Sequence, residues 1–344
     1  MNSNLENLNE KPLLENLKKS INTGVIPVLN PVEDLFYKKD YAVNSFFSIG
    51  HFEVEGHTLN FLYQVMITVL PNSPSVVNSN ISITDETTGW YYADDKIFPL
   101  EMAEITEIGD GADKKFCIKV PNGCFLGNLD TLHVEAEMPH GSINVDMKAY
   151  GTVIYNAGSG NFPTILGENF NQYSVPNMVT NGTLTLDDKT YNVSGKSWFD
   201  RQWQNEGSNL GAKWNWSWMD INLDNGDVIS LWDMRDITHE TNYAWATILH
   251  PDGSQTVSAM EPLTESASDY WTSTESGQKY PTHWIVKIPD LDAALEVTSV
   301  IKEQEIVSQV PFLNKYEGAS TVKGTYKGKE ITGYCYVELL GVWS

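Results

Sequence analysis

The sequence predicts an antiparallel all-β protein of two domains, and three observations carry that prediction. From Asn44 onward the chain is written in short alternating runs rich in Val, Ile, Thr, Tyr and Phe, the period of two expected where one face of a strand is buried. Two-residue turn signals punctuate these runs at Glu55-Gly56, Asn122-Gly123, Asn181-Gly182, Asn225-Gly226 and Asp252-Gly253. At 344 residues, with 41% hydrophobic and 11% aromatic residues, the chain is long enough to bury two cores. Each half then holds enough strands to close its edges as a barrel or a curled sandwich.

Taken in order, residues 1–40 read as a helical and irregular lead-in. Leu5, Leu8, Leu14 and Leu17 suggest a short amphipathic helix interrupted by Pro12, and Pro27 and Pro31 follow. Residues 41–190 form the expected first barrel and residues 191–344 the second. Within the first, residues 158–172 have little periodicity and read as a long connection. Residues 178–186 and 190–202 read as strands that run into a tryptophan-rich segment without a clean break.

Charge and composition narrow the function. A net charge of -23 repels nucleic acid and anionic membrane surfaces, so the expected partner is a neutral or apolar small molecule. Residues 1–24 lack a continuous apolar stretch, and no later segment is long and apolar enough to span a bilayer, so the expectation is a cytoplasmic protein without membrane insertion. The oligomeric state is left open. Cys117, Cys124 and Cys335 cannot all pair with one another and have no zinc-knuckle spacing, so they read as buried small hydrophobes. The seven histidines show no H-x-H or H-E-x-x-H spacing, so a metal site would have to be assembled from distant parts of the chain. Gly195-Lys196-Ser197 resembles the end of a phosphate loop, but that motif needs a glycine where Thr190 stands. No G-x-S-x-G elbow occurs. The expected chemistry therefore needs neither metal nor cofactor.

What remains is acid–base chemistry among aromatics. Seven of the eleven tryptophans lie between Trp198 and Trp245. Strand parity places Trp198 and Asp200 on one face, with Phe199, Arg201 and Trp203 on the other, and aligns Trp214, Trp216, Trp218 and Asp220 on a neighbouring strand. Such a wall suits an apolar pocket with a few directional polar groups, and it equally suits a tryptophan-rich core. A carboxyl group beside Trp198 and out of water holds its proton toward neutral pH, which makes Asp200 the candidate donor. Arg201 is free to pair with a neighbouring-strand carboxylate such as Asp233, and the alternative for Asp200 is a buried structural carboxylate bonded to backbone donors or to Arg235. Protonation of a carbon–carbon double bond gives a cation that indole faces stabilise, and water capture then gives an alcohol. In a pericyclic cyclisation the pocket would fold a polyene, and Arg201 or Tyr173 would polarise a carbonyl by a hydrogen bond. A non-catalytic carrier of a hydrophobic molecule is the reading from another class.

The residues also carry a resemblance. Asn171-Gln-Tyr-Ser-Val-Pro176, Val193-Ser-Gly-Lys-Ser-Trp-Phe-Asp-Arg-Gln-Trp203 and Tyr316-Glu-Gly-Ala with Gly333-Tyr-Cys-Tyr-Val-Glu-Leu-Leu-Gly341 resemble the carotenoid 1,2-hydratase (CrtC) and AttH-like superfamily. The resemblance implies two lipocalin-like β-barrel domains with a ligand pocket between or within them. It also implies hydration, dehydration or Diels–Alder cyclisation of an apolar terpenoid, carotenoid or polyketide, with Asp200 at the position of the proton donor. The chain departs from the family at Asn44-Ser-Phe-Phe47, where an acidic opening is common, and at Trp198-Phe-Asp-Arg-Gln-Trp203, which lies nearer the AttH-like branch.

Overall fold

A computed structural model describes residues 10–18, 22–69, 71, 73–208 and 213–343. One short helix, α1 (Leu13–Leu17), precedes the strands, and Pro12 caps its start rather than interrupting it. Leu5 and Leu8 lie outside the described residues. The first thirteen strands are β1 (Val43–Val54), β2 (His57–Thr68), β3 (Val76–Asp85), β4 (Trp90–Pro99), β5 (Glu104–Ile108), β6 (Lys115–Val120), β7 (Gly123–Gly127), β8 (Leu132–Met138), β9 (Gly141–Ala149), β10 (Ile154–Tyr155), β11 (Asn161–Pro163), β12 (Asn169–Leu186) and β13 (Lys189–Gln204). They form one antiparallel sheet in the order β4-β3-β2-β1-β13-β12-β9-β8-β7-β6-β5, with β10 and β11 paired to β12.

The rest of the chain gives β14 (Trp214–Leu223), β15 (Val228–Asp236), β16 (Thr241–Leu249), β17 (Gln255–Ala259), β18 (Trp271–Thr272), β19 (Lys279–Tyr280), β20 (His283–Ile288), β21 (Ala293–Ser299), β22 (Glu305–Ile306), β23 (Lys315–Tyr326) and β24 (Lys329–Gly341). The second sheet runs β17-β16-β15-β14-β24-β23-β21-β20 with β22 on β23, and β18 and β19 form a separate ribbon. Both sheets curl into antiparallel half-barrels, as the expected fold class requires.

The change of sheet falls between Gln204 and Trp214 rather than near residue 190, because β13 pairs with β12 on one side and β1 on the other. The Asn225-Gly226 and Asp252-Gly253 signals sit in strand-joining turns, but Asn181-Gly182 lies inside β12. Gly182 is there because the β9 backbone at Asn144 and Val145 approaches too closely for a Cβ. The long connection expected over residues 158–172 contains β11 and the start of β12, which bulges between Val175 and Met178 at Pro176-Asn177.

Three apolar clusters follow from the alternation of the strands. One lies within the first sheet and includes Phe46, Tyr63, Phe199 and Trp203. A second, with Met219, Ile221, Trp284 and Val337, belongs to the second sheet. The third joins the sheets and contains Phe47, Leu62, Phe170, Trp198, Trp218, Trp232 and Tyr336. Each central strand thus has one side chain in its own barrel and the next at the junction. That alternation places Asp200 at the junction and Arg201 inside the first barrel.

Candidate active site at the junction of the sheets

Asp200 stands on β13 between Phe47 of β1 and Ser174 of β12, its direct cross-strand neighbours. Only 5% of the residue is exposed. The indole Nε1 of Trp198 donates to Asp200 Oδ1 at 2.8 Å, Gln172 Nε2 donates to Oδ2 at 3.1 Å, and the Ser174 hydroxyl adds a further bond. Burial nevertheless pushes the Asp200 carboxyl up to about 7, outweighing the three donors, and the charge of Glu338 adds to the rise.

The second sheet closes this face with aromatics. Trp218 packs edge-on to both Trp198 and Phe47, with centroids 5.8 and 5.6 Å away. Trp214 and Trp216 stack at 5.1 Å, and Trp216 meets Phe170 and Trp232 edge-on at 6.1 Å. The indole N–H groups of Trp198, Trp216, Trp218 and Trp232 each find an acceptor. Trp216 donates to Glu338 Oε1 at 2.9 Å, Trp218 to Ser230 Oγ at 3.0 Å and Trp232 to Gln172 Oε1 at 3.1 Å. Two polar chains therefore cross the junction. Asp200 connects through Gln172 to Trp232, and through Ser174, Asn156 and Ser230 to Trp218.

A polar cavity of about 30 Å³ lies where Asp200 faces Glu338, with Ser45, Gln64, Gln172 and Gln202 around it. That volume is enough for one or two water molecules. Glu338, a second carboxylate lining this cavity, comes from β24, opposite Trp218 and Glu317. Behind it, Lys315 Nζ pairs with Glu317 Oε1 at 2.7 Å and donates to Gln64 Oε1 at 2.6 Å.

On the other side of Trp198 a second cavity, of about 20 Å³, is lined by Asp220, His51, Asn60, Lys196 and Tyr334. Asp220 accepts bonds from the Tyr336 backbone N–H and from Asn222 Nδ2. Burial, reinforced by the charge of Asp200, holds the Asp220 carboxyl well above the usual carboxylate range. A surface cleft of about 320 Å³ shares Pro176, Lys196, Asn222 and Tyr334 with this cavity.

The structure thus brings together Trp198, Asp200, Trp214, Trp216, Trp218 and Asp220. It does not bring Arg201, Tyr173 or Trp203 to the same face. Arg201 is fully buried and donates to the carbonyls of Leu35, Phe36, Ser45 and Gln202 and to Asn44 Oδ1. Its guanidinium lies over Phe46 and Trp203 at 4.3 and 5.0 Å. All five N–H groups are used, which leaves none to polarise a ligand. Tyr173 donates to the Pro31 carbonyl at 2.9 Å, so both residues fasten the lead-in to the first barrel. Asp233 does not pair with Arg201: it accepts from the Leu263 N–H at 2.6 Å and from Asn242 at 3.1 Å. Arg235 is exposed beside Asp233 and is no partner of Asp200.

Sequence reasoning missed Glu338, Gln172, Gln64 and Trp232. The alternation within β24 and β12 gives their face, but only the packing of one sheet on the other brings them to Asp200. The cysteines also differ from expectation, since Cys335 is buried whereas Cys117 and Cys124 are only partly so, and all three are free. Among the described residues, no helix is long and apolar enough to cross a membrane.

Comparison with known proteins places this architecture. Dehydratase asqC of Emericella nidulans is 28% identical over 223 residues, 62% of each chain. Kievitone hydratase of Fusarium solani subsp. phaseoli is 28% identical over 225 residues, covering 62% of this chain and 61% of that one. The chain therefore aligns with about three fifths of the length of each relative. The crystal structure of kievitone hydratase from Nectria haematococca superposes with a TM-score of 0.77 at 20% identity, over 96% of this chain and 97% of that chain, which is a likeness of fold. The AttH-like family pattern matches residues 72–342, and with that match over most of its length the chain belongs to the AttH-like family.

Proposed function

We propose that this chain is a hydratase or dehydratase of an apolar unsaturated small molecule, working without a cofactor, with Asp200 as the acid. The observation that carries the reading is a carboxyl held near pH 7 among indoles, facing a second carboxylate across a water-sized polar cavity. In hydration, the Asp200 carboxyl gives its proton to one alkene carbon, forming a C–H bond. The electron pair of the double bond is consumed, and the adjacent carbon becomes cationic beside Trp198, Trp216 and Trp218. Water held near Glu338 adds to that carbon and gives its surplus proton to the Glu338 carboxylate; Glu338 then releases that proton and Asp200 takes one up, through solvent, which restores the starting state. Dehydration is the same sequence reversed, with Glu338 protonating the leaving hydroxyl and Asp200 accepting the carbon-bound proton. The names of the two relatives, a dehydratase and a hydratase, support this class of reaction.

The test uses kievitone, the compound in one relative's name, in ¹⁸O-labelled water. The expected result is a product heavier by one labelled water, with turnover falling about 10²–10⁴-fold in a folded Asp200→Asn variant. Conversion without uptake of solvent oxygen, undiminished in Asp200→Asn, would overturn the acid role and favour a cyclase. Stoichiometric binding of kievitone without conversion would favour the carrier.

A further inference from the structure

The outer face of the first sheet carries a second cluster, on strands that take no part in the junction. Cys124 of β7 stands directly opposite Glu135 of β8, and His133 lies two residues before Glu135 on the same face. One donor atom from each of Cys124, His133 and Glu135 falls within 4.8 Å of the other two. In a tetrahedral zinc centre, bonds of about 2.0–2.3 Å place the donor atoms about 3.3–3.8 Å apart. Closing the remaining ångström needs only side-chain rotation on a surface where Glu135 is exposed and the other two are partly so.

A separate observation concerns the histidine. Its Nδ1 is hydrogen-bonded to Asp146 Oδ1 of β9 at 2.9 Å, and Asp146 is its direct cross-strand partner. A carboxylate on one ring nitrogen fixes the tautomer and leaves Nε2 as the basic nitrogen, the arrangement by which proteins orient a metal-bound imidazole. His133 and Asp146 also border a surface groove of about 470 Å³. Burial and the neighbouring Glu135 and Cys117 hold the Cys124 thiol above its ordinary value; a bound cation reverses that balance and favours the thiolate.

We infer that Cys124, His133 and Glu135 form a surface site for a divalent metal of intermediate softness, zinc above all, with Asp146 orienting the histidine. Thiolate, imidazole and carboxylate together suit zinc better than magnesium or calcium, which take oxygen ligands. The spacing of these residues along the chain matches no zinc motif; antiparallel pairing across β7 and β8 assembles them.

The full chain, stripped with chelator, should take up one zinc ion in a titration against a coloured competitor. Cobalt in place of zinc should give a thiolate-to-metal absorption band in the near ultraviolet. Cys124→Ser should abolish the band, Asp146→Ala should weaken zinc binding about 10–100-fold, and Cys117→Ser should leave both readings intact. Absence of stoichiometric zinc uptake would overturn the site. So would a band that survives Cys124→Ser or disappears in Cys117→Ser, since the thiolate would then come from elsewhere.

Discussion

Asp200 and Arg201 are neighbours on β13, both almost completely buried, yet they face opposite sides of the sheet and meet opposite treatment. Arg201 has an acceptor for each N–H, two aromatic faces and a fixed place between the lead-in and the first barrel. Asp200 has three hydrogen-bond donors but no cation beside it among the described residues, and a second carboxylate faces it. The barrel interior gives every N–H of its buried charge an acceptor, as a structural role demands; burial still lowers the Arg201 guanidinium to about 9, which leaves it charged at neutral pH. The junction leaves its charge under-compensated, and the uncompensated part appears as a carboxyl that keeps its proton near pH 7. Burial alone does not separate structural from functional polar residues; the completeness of their partners does.

The comparison can be broken at either residue. Arg201→Met should have the largest effect on stability, because four carbonyls and the Asn44 amide oxygen lose a donor at about 1–3 kcal/mol for each buried acceptor left unmade. After partial repair by water, a loss of about 3–5 kcal/mol in chemical denaturation is expected. A loss below about 1 kcal/mol would mean that Arg201 is not the clamp its bonds suggest.

Asp200→Asn should change the pH dependence of stability by a smaller amount, in the opposite direction. The folded-state value of about 7 exceeds the ordinary 3.8, so between those limits the native state holds a proton that the unfolded chain has released. Stability therefore falls as pH rises through this window, by about 1.4 kcal/mol per pH unit, and levels off above pH 7. Removing the carboxyl should erase about 2 kcal/mol of that loss between pH 5 and pH 7. Denaturant midpoints of both proteins at the two pH values isolate the ionisation from any hydrogen bond that asparagine also loses. Parallel pH profiles would show that Asp200 titrates normally.

Much of this was legible in the sequence. The period-two runs gave the all-β class, and the parity of Trp198 and Asp200, set apart from Arg201 and Trp203, survives in β13. Tight-turn signals located hairpins because a two-residue turn is a local event. Asn181-Gly182 misled for the same reason: the demand for glycine there comes from the β9 backbone, which no local pattern reveals. The membership of β13 in the first sheet depends on its pairing with β1, near the start of the chain. Glu338, Gln172 and Trp232 were hidden because their roles arise where two independently curled sheets meet.

The central claim is that the junction holds the Asp200 carboxyl protonated near neutral pH, and direct titration of that group tests it best. With aspartate labelled by ¹³C at the carboxyl, the difference between wild-type and Asp200→Asn infrared spectra isolates this one group. The predicted midpoint is about 7, moving slightly lower in Glu338→Gln because the Glu338 charge adds far less to the rise than burial does. A midpoint near 4 in the folded wild-type protein would contradict the account, since Asp200 would then be an ordinary ionised carboxylate with no proton to give.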